Sequence, residues 1–382
     1  MNSITIKIDS LAYRGSGVGR VDNIVYFVPL TAPQELLEIE IVKQEKRFRI
    51  GRIIRIIEPS PYRIEPVCPY FGECGGCSWQ HITYQRQLEE KRKILEDAIT
   101  RIGKTAPEID PVAPSPNIYG YRNRTRLKFT ADGKIGYFAA ESHKLIEIDS
   151  CPILSPEINS FLPRLKSEPA LKSPSPGETP SPGEVEIYLD PEGSVQCSFI
   201  SSLRKASFSF SQVNHRVNSL LKEKIYSLVT DFSLKDKPPV IMDLYCGDGN
   251  LSLNLSGIAG SISGWDLSEA VIRKARQTVR KLGLQNVVYK RSDVGRALAE
   301  IERSGRSAQI LIADPPRRGL KGIIPAIISL EVPFIFYISC VPPILARDLG
   351  ALIKAGYMIK KVIPFDMFPQ TFHLETLVVL AR

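Results

Sequence analysis

From about residue 211 to the C-terminus, short apolar runs alternate with stretches of helical periodicity, and this alternation constrains the fold more than any other feature. The strand candidates are Val240 to Leu244, Ser261 to Trp265, Val287 to Lys290, Ile310 to Ala313, Phe334 to Ser339, Met358 to Pro364 and Thr376 to Leu380. They follow a helical segment from Ser211 to about Val229. Such a pattern implies an α/β unit with a doubly wound, mostly parallel sheet. In a sheet of this kind a ligand sits outside the carboxyl ends of the strands, so the residues after each strand are where chemistry is expected.

Four strand ends carry acids. The first reads Asp243-Leu244-Tyr245-Cys246-Gly247-Asp248-Gly249-Asn250, where two glycines permit a tight turn and close approach of a ligand. Asp266 ends the second strand, placed to accept hydrogen bonds from ribose hydroxyls, and Asp293 ends the third, within reach of an adenine amino group. The fourth end is Asp314-Pro315-Pro316-Arg317-Arg318-Gly319. The phosphate fingerprint G-x-G-x-x-G and the P-loop are both absent, so the pattern favours an adenosine-containing cofactor without phosphate. Each acid alone reads as a helix N-cap; four in register behind a Gly-rich turn favour a cofactor site. Beyond them, Cys340 follows an apolar strand just before Pro342, and Phe368 to Glu375 brings His373 and Glu375 ahead of the last strand. A strand-end Cys is ordinarily a small hydrophobe, and a lone His and Glu are ordinarily a cap and a solvent-facing acid.

A chain of 382 residues exceeds one compact core. Residues 4 to 57 read as four or five short strands, with Gly15, Gly17 and Gly19 marking the first turn. This predicts a small barrel of the oligonucleotide-binding type, with Lys43, Lys46, Arg47, Arg49, Arg52 and Arg55 as a basic face. After a Cys-rich turn, Cys68 to Cys77, come a helix from about Tyr84 to Ile102 and strands within 117 to 150 carrying Arg122, Arg124 and Lys128. Strands resume at Val185 to Leu189 and Val195 to Ile200. Between them, Pro163 to Glu184 is rich in Pro, Ser and Gly and predicts a disordered loop over about 165 to 184. The expected units are therefore 1–58, 59–205 and 206–382. A net charge of +9 fits a polyanionic partner such as nucleic acid, and fits plain solubility equally well. No apolar run of roughly 18 residues and no secretory signal is present, which predicts a cytoplasmic protein without a membrane partner. In that reducing compartment seven cysteines are ligands, nucleophiles or core residues instead of a disulfide framework. The C-x5-C-x2-C spacing of Cys68, Cys74 and Cys77 needs a fourth ligand, with Cys151 the best candidate; the spacing also permits zinc with His81 or Cys151. Cys197 and Cys246 receive no function.

Seven short motifs occur in order along nearly the whole chain: GSGVGR at Gly15 to Arg20, CPYFGECGGCSWQH, FSQVN at Phe210 to Asn214, DLYCGDGN, IADPPRRG, YISC with the following LARDL, and the terminal FPQTFHLE. In these residues the chain resembles the S-adenosylmethionine-dependent RNA 5-methyluridine methyltransferases with an N-terminal TRAM domain. The resemblance implies a C-terminal Rossmann-like class I methyltransferase domain, an OB-like TRAM barrel and a small β-rich middle domain carrying a cysteine cluster. It implies that Gln212, Asp243, Tyr245, Gly247, Gly249, Asn250, Asp266, Asp293 and Asp314 hold the cofactor. Asp314 would also orient the uracil edge, with Cys340 as nucleophile and Glu375 as base. It further implies a [4Fe-4S] cluster on Cys68, Cys74, Cys77 and Cys151, and action on ribosomal or transfer RNA; nothing in the sequence requires more than a monomer.

The chemistry suits this set. Carbon 5 of uracil is too weak a nucleophile to attack a methyl sulfonium unaided, and thiolate addition at carbon 6 cures that. Thiolate character at Cys340 is expected from a nearby cation, Arg317 or Arg347. The sequence departs from the family at Val341, where the family has Asn. Two other functions stay open: amino methylation of a purine, which needs no thiol, and an inactive RNA-binding assembly factor.

Overall fold

The computed structural model describes residues 3–130, 132–167, 183–190, 192–200, 212–232 and 237–382. The first unit comprises β1 (Ser3–Lys7), β2 (Ser10–Leu11), β3 (Gly17–Val21), β4 (Ile24–Val28), β5 (Leu36–Gln44) and β6 (Phe48–Glu58). The sheet order is β1-β5-β6-β4-β3-β2. Because β1 and β2 are two halves of one bent run, pairing with β5 and β3 respectively, the sheet curls back on itself around Ile6, Ile8, Tyr26, Val28, Leu37 and Ile39. Gly17 and Gly19 are not turn residues as expected. They lie in β3 where the sheet closes, and a Cβ would fall 2.0 Å from the Thr31 hydroxyl at Gly17 and 2.3 Å from the Lys7 carbonyl at Gly19. Only Gly15, with φ 93°, turns the chain. Three of the six cations of the expected basic face pair with acids, Arg52 with Glu40, Arg55 with Glu38 and Lys43 with Glu45, while Arg49 donates to the Tyr26 hydroxyl.

Helix α1 (Tyr84–Ala98) ends earlier than the sequence suggests and continues as one π turn over Ile99–Gly103. A second sheet, order β11-β10-β7-β8-β9, contains β7 (Arg124–Phe129), β8 (Ile135–Phe138), β9 (Leu145–Glu147), β10 (Gly183–Leu189) and β11 (Val195–Ile200). Helix α2 (Pro156–Lys166) covers it with Ile158, Leu162 and Leu165. Ser155 caps α2 and Pro156 sits at its first position, so the helix runs into the stretch expected to be disordered, and β10 begins inside the other end of that stretch. Residues 168–182 of the expected loop lie outside the described residues, as do Phe210 and Ser211 of FSQVN. The β7 cations are matched across the strand pair by Glu184 and Glu186 of β10.

The C-terminal unit alternates as expected: α3 (His215–Phe232), β12 (Val240–Leu244), β13 (Ser261–Asp266), α4 (Glu269–Lys281), β14 (Val287–Arg291), α5 (Val294–Ser304), β15 (Ile310–Ala313), α6 (Ile324–Ser329), β16 (Phe334–Ser339), α7 (Pro342–Lys354), β17 (Met358–Phe365) and β18 (Glu375–Ala381). The order is β14-β13-β12-β15-β16-β18-β17, parallel except for β18, which runs antiparallel to both neighbours. All seven residues of β18 are buried, as befits an interior strand with a core on each face. Helix α1 and the π turn after it join one of those cores through Leu88, Leu95 and Ile99, which cluster with Leu345, Ala346 and Leu349 of α7. No helix among the described residues is long and apolar enough to cross a membrane.

Candidate active site

The strand order reverses between β12 and β15, and a cavity of about 180 Å³ opens at their carboxyl ends. It is lined by six residues expected from sequence: Gln212, Asp243, Tyr245, Gly247, Asn250 and Asp314. Asp248 of the same turn lines it too, and so do His215 and Asn218 of α3 and Lys274, which were not anticipated because they reach the crevice only through tertiary packing. The β12 turn is shaped by left-handed backbone at Tyr245 (φ 61°), Gly247 (φ 56°) and Gly249 (φ 86°). At Gly249 a Cβ would stand 2.6 Å from the Tyr289 hydroxyl, so this glycine shapes the turn without lining the cavity. Asp243 accepts from Ser252 Oγ at 2.5 Å, and Ser252 in turn pairs with the Tyr289 hydroxyl at 2.8 Å. Burial, with Asp314 and Asp266 adding, pushes the Asp243 carboxyl up to about 7 despite that bond.

Three expected ligands have prior engagements. The Asn250 amide exchanges two hydrogen bonds with Asn218, at 2.9 and 3.0 Å. Asp266 accepts from the Gly247 and Ser268 amides, tying the β13 end to the glycine turn. Asp293 is exposed and caps α5 by accepting from the Arg296 amide at 3.2 Å, the ordinary role of an acid after a strand. Neither Asp266 nor Asp293 lines the cavity.

Beside the cavity, strand register assembles a second group. The antiparallel ladder of β16 and β18 ends at Ser339 opposite Thr376; the same register continued by one residue, past the last ladder pair, brings Cys340 to Glu375, whose charge acts on the thiol. The parallel neighbour β15 ends one residue before Asp314. The β16 run stops there because Pro342 and Pro343 cannot continue a ladder, and Pro342 instead opens α7 behind Val341. Glu375 is buried, and burial together with Asp314 holds its carboxyl well above the usual range; Asp314 is raised by its own burial. The charge of Asp314 therefore works against ionisation of Glu375, in the same direction as burial.

Cys340 differs from expectation. Burial pushes its thiol up to about 12, with Glu375 and Asp314 adding to the rise. Of the two candidate cations, Arg317 does act on it, in the lowering direction. Arg347 instead pairs with Asp348 at 2.7 Å and donates to the Arg318 carbonyl. In the RNA-free protein, alkylation of Cys340 by iodoacetamide will therefore keep rising about tenfold per pH unit beyond about pH 9, where an ordinary thiol levels off. A plateau below that pH would mean that the thiol is already activated. The rim also holds residues that sequence reading missed. Tyr13, from the barrel turn, feels both Cys340 and Arg317, and its ring meets Phe372 edge-on at 5.5 Å. Phe372 packs in turn on His373 at 4.2 Å, and burial holds that imidazole neutral, down at about 4.

Away from this edge, Cys68, Cys74, Cys77 and Cys151 line one cavity of about 30 Å³ with Tyr70, Phe71, Tyr137 and Arg122. All four are free thiols. His81, the other zinc ligand considered, packs on Phe71 at 5.3 Å and does not line it. Among the described residues no three His, Cys, Asp or Glu side chains are grouped to hold a metal ion.

A Rossmann-like sheet with a cavity at its switch point, flanked by a cysteine and two carboxyls, defines a doubly wound α/β protein with a ligand crevice. Comparison with known proteins narrows the class. Residues 194–382 match the tRNA (Uracil-5-)-methyltransferase family model. An RNA methyltransferase of Bdellovibrio bacteriovorus is 33% identical over 389 residues, covering 99% of this chain and 95% of that protein. One of Thermosynechococcus vestitus is 29% identical, covering 99% and 98%. This chain belongs to the tRNA (uracil-5-)-methyltransferase family and is an RNA methyltransferase. Its fold is shared with the Pyrococcus abyssi tRNA (uracil-54, C5)-methyltransferase, solved with S-adenosyl-L-homocysteine, at a TM-score of 0.75 and 24% identity, covering 99% of this chain and 100% of that one.

Proposed function

We propose that this RNA methyltransferase moves a methyl group from S-adenosylmethionine to carbon 5 of a uridine in ribosomal or transfer RNA, with Cys340 as nucleophile and Glu375 as base. The observation that carries this reading is the β16–β18 register, which brings a thiol to a carboxyl of raised proton affinity beside the switch-point cavity. Cys340 Sγ adds to carbon 6 and makes carbon 5 nucleophilic, with Asp314 orienting the uracil edge. Once carbon 5 carries the methyl group, Glu375 takes its proton and the sulfur leaves. A carboxylate of raised pKa is the better base for that step. The target base has to leave its stack to reach this pocket.

S-adenosylmethionine supplies an electrophilic methyl group on a cationic sulfur. The cavity suits it: Asp243 and Asp314 are buried carboxyls with raised proton affinity, so a cationic ligand complements them better than a phosphate. Gln212, Tyr245, Gly247 and Asn250 would hold the rest, with Asp266 at the ribose and Asp293 at the adenine edge; Gly249 would serve by shaping the turn. The test is to incubate the protein with total RNA and methyl-labelled S-adenosylmethionine and digest to nucleosides. Label in 5-methyluridine is expected; label in a purine would favour amino methylation instead.

For the cysteine cavity the reading is a [4Fe-4S] cluster on Cys68, Cys74, Cys77 and Cys151. Each thiolate of a cluster binds a different iron and needs only to face a common space, whereas one zinc ion needs four ligands converging at about 2.3 Å. What supports the cluster reading is that the four thiols line one cavity. Protein purified without oxygen should contain iron and sulfide, and Cys151→Ser should lose most of the iron. Zinc in place of iron would discard the cluster.

A further inference from the structure

The loop between β17 and Glu375 has no regular structure, yet Asp366, Met367, Pro369, Gln370, Thr371 and Leu374 are buried. Several of its polar groups are satisfied from outside the C-terminal sheet. The Ser78 and Trp79 amides both donate to the Gln370 carbonyl, at 3.1 and 3.0 Å, and the Phe372 amide donates to Ser78 Oγ at 3.1 Å. The Tyr121 hydroxyl donates to the Pro369 carbonyl at 3.1 Å. At the centre stands Gln370, whose φ of 68° is a left-handed conformation that a non-glycine residue holds only when its surroundings impose it.

What imposes it is Gln87 of α1. The Gln370 amide donates to Gln87 Oε1 at 3.0 Å, and Gln87 Nε2 donates to Gln370 Oε1 at 2.9 Å. Gln87 Nε2 also donates to the carbonyls of Trp79 and Ile82, at 3.1 and 2.9 Å, which settles the orientation of its amide because carbonyls only accept. Both glutamines are essentially sealed from solvent, at 1% and 2% exposure. From Gln370 the chain runs to Glu375 through a short braced segment, where Thr371 Oγ1 donates to the Phe368 carbonyl and accepts from the His373 amide.

We propose that Gln370, clamped by Gln87 and by the Ser78-Trp79 backbone, is a positioning residue for the proton-removal step. It touches neither thiol nor substrate and acts by aiming Glu375 at carbon 5. In that step the carbon 5 proton moves to the Glu375 carboxylate. The C–H electron pair forms the C5=C6 double bond, and the C6–S bond breaks with its pair going to Cys340 as thiolate. Ser78 directly follows Cys77, so order in the cysteine loop is transmitted to the base through the same bonds. The proposal rests on the reading of Glu375 as base.

The test uses the full protein, a uridine-containing RNA substrate and labelled S-adenosylmethionine. In Gln370→Asn the residue tolerates positive φ, so the backbone is spared while the amide falls one methylene short of Gln87. Gln87→Met is the second variant, removing the amide from the helix side. Each should lower kcat by about 10- to 100-fold, the scale of a small misplacement, with KM for RNA and for S-adenosylmethionine within about threefold. The double variant should be little worse than the poorer single, because both delete one clamp. The decisive readout is covalent protein–RNA adduct stable to denaturant. If only proton removal is slowed, the adduct fraction rises above that of the unaltered protein, as it should in Glu375→Gln. Unaltered kcat in both variants overturns the proposal, as does a fall of kcat and adduct together, which a loop that merely supports the fold would give. Adduct in Glu375→Gln but not in Gln370→Asn overturns the positioning role alone. Its absence in Glu375→Gln overturns the assignment of the base, and the positioning role with it.

Discussion

Cys340→Ala will abolish label in 5-methyluridine, lowering methyl transfer by on the order of 10⁴-fold or more, while RNA binding stays within a few-fold of the unaltered protein. The size of the effect follows from what the thiol does. Without addition at carbon 6 the pyrimidine has no enolate to present, and the methyl side chain of alanine offers no nucleophile in place of the thiol. Binding is spared because Cys340 is one small side chain on the rim, among Tyr13, Arg317 and Phe372. The measurement is a single-turnover assay with nucleoside analysis. An amino methyltransferase would lose almost nothing on this substitution, and an assembly factor would bind RNA with no turnover to lose. Either result would sink the proposed chemistry.

Lys91→Met will be the most damaging single change to the fold away from the reacting groups, at about 3–5 kcal/mol. Lys91 of α1 and Asp366, at the end of β17, are both fully buried and pair at 2.5 Å, and the ammonium also donates to the Phe368 carbonyl. Burial pulls the ammonium down from its ordinary range while Asp366 works the other way. Removing the cation leaves an unpaired carboxylate in a site without water access, and that desolvation is the main cost. Replacing both partners with apolar residues, Lys91→Met with Asp366→Leu, should recover most of the loss. Trp79 lies 5.9 Å from the Lys91 nitrogen, so tryptophan fluorescence during urea unfolding reports the change. A loss below about 1 kcal/mol would show that the pair is solvated in solution and does not brace the loop.

Much of the C-terminal unit was legible because its signals are local. An apolar run such as Ile310 to Ala313 declares a buried strand within its own residues, and the acids and glycines at strand ends follow from where a parallel sheet leaves room for a ligand. Local reading also misled. Gly17 and Gly19 look like a turn by composition, and only closure of the sheet shows that they sit where no side chain fits. Pro163 looks like a loop residue, yet α2 runs past it because Ser155 and Pro156 start the helix and its apolar stripe finds the second sheet.

The sequence by itself determined the strand and helix alternation, the acids and glycines at the strand ends, and the presence of one strand-end cysteine and one acid near the C-terminus. Only the tertiary structure decided how they meet. The insertion of β18 antiparallel between β16 and β17 brings Cys340 to Glu375, and a change of one residue in that register would turn the acid to the other face. It also decided that the cysteine's thiol is pushed up instead of down, and that Gln87 meets Gln370 across 283 residues. Register, burial and long-range pairing are properties of which segments share a volume, and spacing along a chain carries no record of that.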